Sequence, residues 1–189
     1  MIRLRQGSHL RQGSGGQAGA TGFARLLTRF RVFLGFVFAS VALYLATPTP
    51  TTLIIGAIVS VIGELIRLWA AGHLEKSREV TRSGPYQFTR HPLYLGSSLI
   101  GVGFAMAANH IVVAIIVVAY LLLTLTAAMR SEESHLREKF GDAYDAYVEK
   151  RSERMDRRFS WQRAIHNREH HTIAGLLGAL LLLLVKSLR

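Results

Sequence analysis

The chain has 189 residues and not one cysteine. Disulfides, thiolate nucleophiles and Cys-based metal sites are therefore excluded. Its scattered histidines show no metal-ligand spacing, so no metal site is expected. Proline is scarce, at four residues: Pro48 and Pro50 in one polar link, Pro85 and Pro92 in another. Acidic charge is also in short supply. Asp and Glu total 12 against 23 Lys and Arg, a net charge of +11. In a soluble protein such an excess suggests nucleic acid, but no recognisable nucleic-acid-binding module accompanies it here. Half of the residues are hydrophobic, and they cluster into long runs. In such a chain a basic excess reads as membrane topology and contact with anionic lipid headgroups.

Residues 1–29 are rich in Gly, Ser, Gln and Arg, and repeat Arg-Gln-Gly-Ser at 5–8 and 11–14. With so few apolar side chains this segment is expected to be a disordered basic tail. Residues 30–189 are expected to form one membrane domain. The fold class expected is an all-α integral membrane protein, with five transmembrane helices and a cytoplasmic amphipathic helix. Its spans fall at about 31–46, 53–71, 92–107, 111–129 and 172–188, judged against the roughly 20 apolar residues a span needs. The first reads as a signal anchor. Lys and Arg alternate sides along the links. They are dense in the tail, in the second link (Lys76, Arg78, Arg82, Arg90) and in the fourth (Arg151, Arg154, Arg157, Arg158, Arg163, Arg168). The first and third links have none. This pattern puts the N-terminus on the cytoplasmic side, with Lys186 and Arg189 the exceptions. The membrane expected is the plasma membrane in a prokaryote or the endoplasmic reticulum in a eukaryote.

The second link holds Ser-Gly-Pro-Tyr-Gln-Phe-Thr-Arg-His-Pro-Leu-Tyr-Leu-Gly, residues 83–96. Gly84-Pro85 is turn chemistry. Pro92 suits the first position of a helix, where an N–H would be unpaired anyway. A helix start favours anions, and Arg90 beside it offers a fork of donors for a carboxylate or phosphate. A second polar cluster, Arg130-Ser-Glu132-Glu133, follows the fourth apolar run. Adjacent spans run antiparallel, so the two clusters are expected to meet at one membrane depth.

The pattern Gly84-x-Tyr86-x-x-x-Arg90-His91-Pro92-x-Tyr94-x-Gly96 resembles the signature of the isoprenylcysteine carboxyl methyltransferase and phospholipid methyltransferase superfamily. Glu132-Glu133, followed by Phe140-Gly141-x-x-Tyr144-x-x-Tyr147, resembles its second element. The likeness covers about Glu64 to Tyr147 and then fades. Where it implies a proline-containing stretch, the chain has Asp156-Arg157-Arg158-Phe159. The resemblance implies an integral membrane enzyme using S-adenosylmethionine. It implies that Tyr86, Arg90, His91, Pro92, Tyr94, Leu95, Gly96, Glu132 and Glu133 bind that cofactor. Glu132 or Glu133 suits the cofactor's ammonium or ribose hydroxyls, and Arg90 suits its carboxylate. The Arg-His-Pro-x-Tyr element also resembles part of the sterol reductases, which use NADPH. Adjacent carboxylates would oppose that cofactor's phosphates. A membrane scaffold without activity is the third reading.

Glu64 and Arg67 lie inside the second apolar run, on one helical face. They form either an internal ion pair or the floor of a cofactor or substrate pocket, with Arg67 placed to bind substrate or to snorkel to the interface. Leu136, Phe140, Tyr144 and Val148 recur every four residues, as on a surface amphipathic helix. Tyr144 and Tyr147 are its candidate lid and substrate contacts. The expected reaction is methyl transfer to a lipid-like acceptor entering from the bilayer. A prenylcysteine carboxylate needs only alignment. A phospholipid amine needs a base, for which His91, Glu133 and Glu64 are the candidates alongside Arg90 in the catalytic set.

Overall fold

The computed structural model describes residues 35, 37–76, 78–153 and 155–188. The chain divides into two units, Met1–Phe36 and Val37–Arg189. Of the first only Gly35 is described, so the expected tail and the start of the expected first span lie outside the described residues. Among the described residues every regular element is helical. These are α1 (37–45), α2 (Pro50–His73), a 3-10 turn (Gly84–Gln87), α3 (Pro92–Ala108), α4 (Ile111–Phe140), α5 (Asp142–Val148), α6 (Trp161–His166) and α7 (Glu169–Ser187).

The helix α2 begins on a reciprocal cap. Thr49 accepts from the Thr52 amide, and Thr52 accepts from the Thr49 amide. Pro50 supplies a first position that needs no donor. The helices α2, α4 and α7 are each long and apolar enough to cross a membrane. The shorter α3, 17 residues, extends roughly 26 Å at 1.5 Å per residue, just under an apolar layer of about 30 Å. Large apolar side chains on these helices face outward, among them Ile58, Leu65, Ile115, Leu122, Leu123 and Leu181. In water that arrangement would be unfavourable; against lipid it costs nothing.

What joins α2 to α3 is closeness of backbone. A Cβ on Gly63 would lie 2.6 Å from the Gly96 carbonyl oxygen, and one on Gly96 would lie 2.5 Å from the Gly63 oxygen. Ser60 Oγ donates to the Ile100 carbonyl at 3.4 Å. Lipid tails are as apolar as leucine, so close packing of small residues drives this association. At the far end a small-residue core of Ala42, Ala46, Leu53, Ala107, Ala108, Val113 and Leu183 ties α1, α2, α3, α4 and α7 together. There Lys186 Nζ donates to the carbonyls of Leu43 and Tyr44 at 2.7 and 2.6 Å. Lys186, an exception in the charge pattern, caps the end of α1.

Three elements differ from the sequence expectation. The fourth apolar run does not stop at Met129; α4 continues unbroken to Phe140. The helix then breaks at Gly141, with φ 47° and ψ −123°, a conformation that side chains other than hydrogen disfavour. Leu136 and Phe140 therefore lie on α4, and Tyr144 and Val148 on the separate α5, so the four do not share one surface helix. The stretch around residues 155–167, part of the basic fourth link, packs onto the end of α2. Arg163 Nε donates to the Gly72 carbonyl at 2.8 Å, and Asn167 Nδ2 to Ala71 and Leu74 at 2.9 and 3.0 Å. The Ser160 amide donates to Gly72 at 3.1 Å, and Arg157 to His73 at 3.4 Å. The last carbonyls of a helix have no partner within it; here a segment some 90 residues downstream supplies them. The last helix starts at Glu169 rather than near residue 172.

Candidate functional site

The site is assembled where α3 begins. Pro92 is the first residue of α3, as its chemistry predicts. Just ahead of it, Arg90 and His91 face the polar end of α4. Glu133 lies one turn beyond Met129, where the apolar run ends. Its Oε1 accepts from His91 Nε2 at 2.9 Å and stands 3.3 Å from Arg90 Nη1. His91 is mostly buried, at 15% exposed, whereas Arg90 is 47% exposed. The His91 hydrogen bond, and then the charge of Arg90, hold the Glu133 carboxyl below the usual carboxylate range despite its partial burial. A shallow cleft of about 390 Å³, lined by Arg130, Glu133, Ser134, Arg137 and Glu138, opens beside it.

Four tyrosines surround this cluster. Tyr86 is 8% exposed in the 3-10 turn. Burial, and then the charge of Glu132, push its phenol up, so it stays neutral. Tyr94 packs its ring 5.6 Å from that of His91. Tyr147 Oη donates to the Tyr86 carbonyl at 2.8 Å, which ties α5 to the turn; burial pushes its phenol up to about 12. Tyr144 is 1% exposed, and its hydroxyl makes no hydrogen bond. Burial and then the Glu133 charge push that phenol up. Glu132 is half-buried and lies within electrostatic reach of Tyr86 and Tyr144.

The structure thus brings Arg90, His91 and Glu133 into contact and sets Tyr86, Tyr94, Tyr144, Tyr147 and Glu132 about them. It places two expected residues elsewhere. Gly96 is buried against Gly63 and Arg67 on α2, so its missing side chain serves helix packing. Leu95 is 49% exposed on the outside of α3.

A second, buried cluster lies deeper. Arg67 does not snorkel. Its Nη2 donates to Glu169 Oε1 at 2.9 Å, and its Nε to Glu169 Oε2 at 3.2 Å. It also donates to Thr172 Oγ1 at 3.2 Å and the Leu93 carbonyl at 3.4 Å, and to Ser97 Oγ. Glu64 is left aside, with Oε2 3.9 Å from Arg67 Nε and neither oxygen hydrogen-bonded. Sequence reasoning missed Glu169, Ser97 and Thr172. Glu169 lies in the basic fourth link, between Arg168 and the pair His170-His171. The signal that could have found it is its spacing to Thr172 and Leu176, one face of a helix.

No solved structure matches the chain. The nickel-cobalt-cadmium resistance protein NccN of Alcaligenes xylosoxydans xylosoxydans is similar, at 30% identity over 139 residues. The match covers 65% of this chain and 62% of that relative, so less than two thirds of NccN is represented. The segment 51–143 runs from the first turn of α2 into α5 and carries Arg90, His91 and Glu133. It matches the phospholipid methyltransferase family model.

Proposed function

We propose that the chain is a membrane methyltransferase that uses S-adenosylmethionine. Its acceptor would be lipophilic, either a prenylcysteine-type carboxylate or a phospholipid amine. The observation that carries this reading is the meeting of Arg90, His91 and Glu133 between the start of α3 and the polar end of α4. These residues fit the cofactor. Its amino-acid end carries one ammonium and one carboxylate. Glu133 and Arg90 offer each a partner of opposite sign, and a 3.3 Å contact with a half-exposed guanidinium is readily exchanged. Tyr86, in the 3-10 turn beside them, is the candidate to hydrogen-bond the cofactor or stack on its adenine. Bound there, the cofactor would supply an electrophilic methyl group. The chain itself aligns the reactants and excludes water. His91 keeps the Glu133 carboxylate ionised and oriented, and Tyr147 fixes the turn that carries Tyr86.

In this reading the protein has five spans. The first is 31–46, α2, α3 and α4 supply the middle three, and α7 is the last. The N-terminus and the Arg90 cluster lie on the cytoplasmic side, which the Lys and Arg distribution supports. The acceptor enters sideways from lipid. Calorimetry on the purified protein in detergent tests the reading, with S-adenosylmethionine and S-adenosylhomocysteine against NADPH. Binding of the adenosyl compounds alone, weakened in Glu133→Gln, is the expected result. Binding of NADPH instead would favour a reductase, and binding of neither would favour a scaffold.

A further inference from the structure

A row of five rings crosses the end of α2. Between ring centroids, Phe88 stands 6.4 Å from Trp69, Trp69 6.4 Å from His73, His73 6.1 Å from Phe159, and Phe159 5.0 Å from Trp161. Three separate parts of the chain supply them: the last turns of α2, the link before α3, and the segment entering α6. Only His73 is buried. Phe88 is 79% exposed, Trp161 65%, Trp69 42% and Phe159 36%. Ile165, four residues after Trp161 and so on the same face of α6, is 61% exposed. Other residues fix that helix in place: Ala164 is buried, and Arg163 and Asn167 bond the end of α2. Contiguous exposed apolar surface of this kind marks an interaction surface.

The depth of this row is set by its neighbours. Trp69 lies four residues, roughly 6 Å, before the end of α2. The helix α7 begins three residues after the end of α6. Both α2 and α7 are long and apolar enough to cross a membrane, so α6 sits where two such helices meet the headgroup layer. Aromatic rings with one wet edge favour that layer. The charge around the row is positive. Residues 155–168 hold four arginines and one acid, Asp156. Arg157 and Arg163 face Glu79 and Glu75 within the protein. Arg158 and Arg168 are exposed and form no salt bridge among the described residues. We propose that this row is an interfacial docking surface for anionic phospholipid. The helix α6 lies in the headgroup layer with Trp161 and Ile165 at the acyl boundary, and Arg158 and Arg168 hold lipid phosphate. Guanidinium forks suit phosphate oxygens. The surface is independent of the methyltransferase reading, since neither cofactor nor acceptor enters it. Phe88 stands two residues before Arg90, so lipid held here also steadies the link that carries the candidate site.

The chain has two tryptophans, Trp69 and Trp161, which gives the test its probe. Trp69→Phe keeps a ring in the row and leaves Trp161 as the single indole. The full chain is placed in phosphatidylcholine vesicles in which a minor fraction of the lipid is brominated high on the acyl chain. That fraction is phosphatidylglycerol in one set and phosphatidylcholine in the other. Trp161 is expected to emit at a blue-shifted wavelength and to be quenched in both sets. The relative association constant should favour phosphatidylglycerol by at least about fivefold, the share of one surface arginine. Arg158→Gln with Arg168→Gln should quench equally in the two sets. Should that double variant not fold, rising salt carries the same test on the Trp69→Phe chain, because screening should remove the preference. An unquenched Trp161 overturns the proposal, whether its emission is red-shifted as in water or blue-shifted as under a second copy or a soluble partner. Equal quenching before any arginine is replaced, or a preference that survives both the double variant and salt, overturns it too.

Discussion

The same chemical change, glutamate to glutamine, should have opposite consequences at two positions of one cluster. Glu169 is 5% exposed and holds Arg67 through contacts of 2.9, 3.1 and 3.2 Å. Glu169→Gln keeps the shape but removes the charge and at least one acceptor. Arg67, 17% exposed, is left with Glu64 at 3.9 Å as its nearest carboxylate. Removing one partner of a buried pair costs about 3–5 kcal/mol. Because Glu64 can close on the freed guanidinium, the low end applies, about 3 kcal/mol. For a domain of this size each kcal/mol shifts Tm by about 2–4 °C, so a fall of about 6–12 °C is expected. Glu64→Gln removes a charge that no donor satisfies and leaves the Arg67–Glu169 pair whole. It should be neutral or raise Tm. The assay is thermal unfolding of the purified variants, followed by circular dichroism. Equal losses for both variants, or no loss for Glu169→Gln, would refute the assignment of partners.

Other substitutions separate further contacts. Gly63→Ala places a methyl group 2.6 Å from the Gly96 oxygen and should cost about 1–3 kcal/mol by forcing α2 from α3. Gly175→Ala, with nothing within 4 Å, should be neutral or slightly stabilising; unfolding midpoints compare the two. Tyr147→Phe should cost about 1 kcal/mol by removing the bond to Tyr86. Tyr144→Phe, which deletes a hydroxyl that bonds nothing, should cost nothing in the unliganded protein. Glu133 predicts an acid limb. Its folded pKa lies below the ordinary value of 4.5, so its contribution to stability is present above that value and lost as pH falls through the folded pKa. The wild-type Tm should therefore drop toward that of Glu133→Gln over this acid range. A difference between the two that does not change with pH would contradict the pairing.

Much of the arrangement was legible in the amino-acid order because it repeats locally or sits within a few residues. Long apolar runs specify helices that can cross a membrane, since a backbone in lipid must satisfy its own hydrogen bonds. Pro92 marks the start of α3 through its fixed φ and missing donor. Arg90 and His91 meet Glu133 because two consecutive helices joined by the short turn at Asn109 and His110 must run antiparallel. The tertiary structure alone decided which charges pair. Glu64 and Arg67 are three residues apart, yet Arg67 takes Glu169, 102 residues away, because α7 offers both carboxylate oxygens within reach. The same holds for Arg163 and Asn167 in the basic fourth link, whose partners are the otherwise unpaired carbonyls at the end of α2. Gly141 likewise ends α4 through a backbone angle that the four-residue spacing across it does not encode. Local pattern fixes the rotational phase of each helix, whereas the choice among several equally polar partners waits on which helix packs beside which.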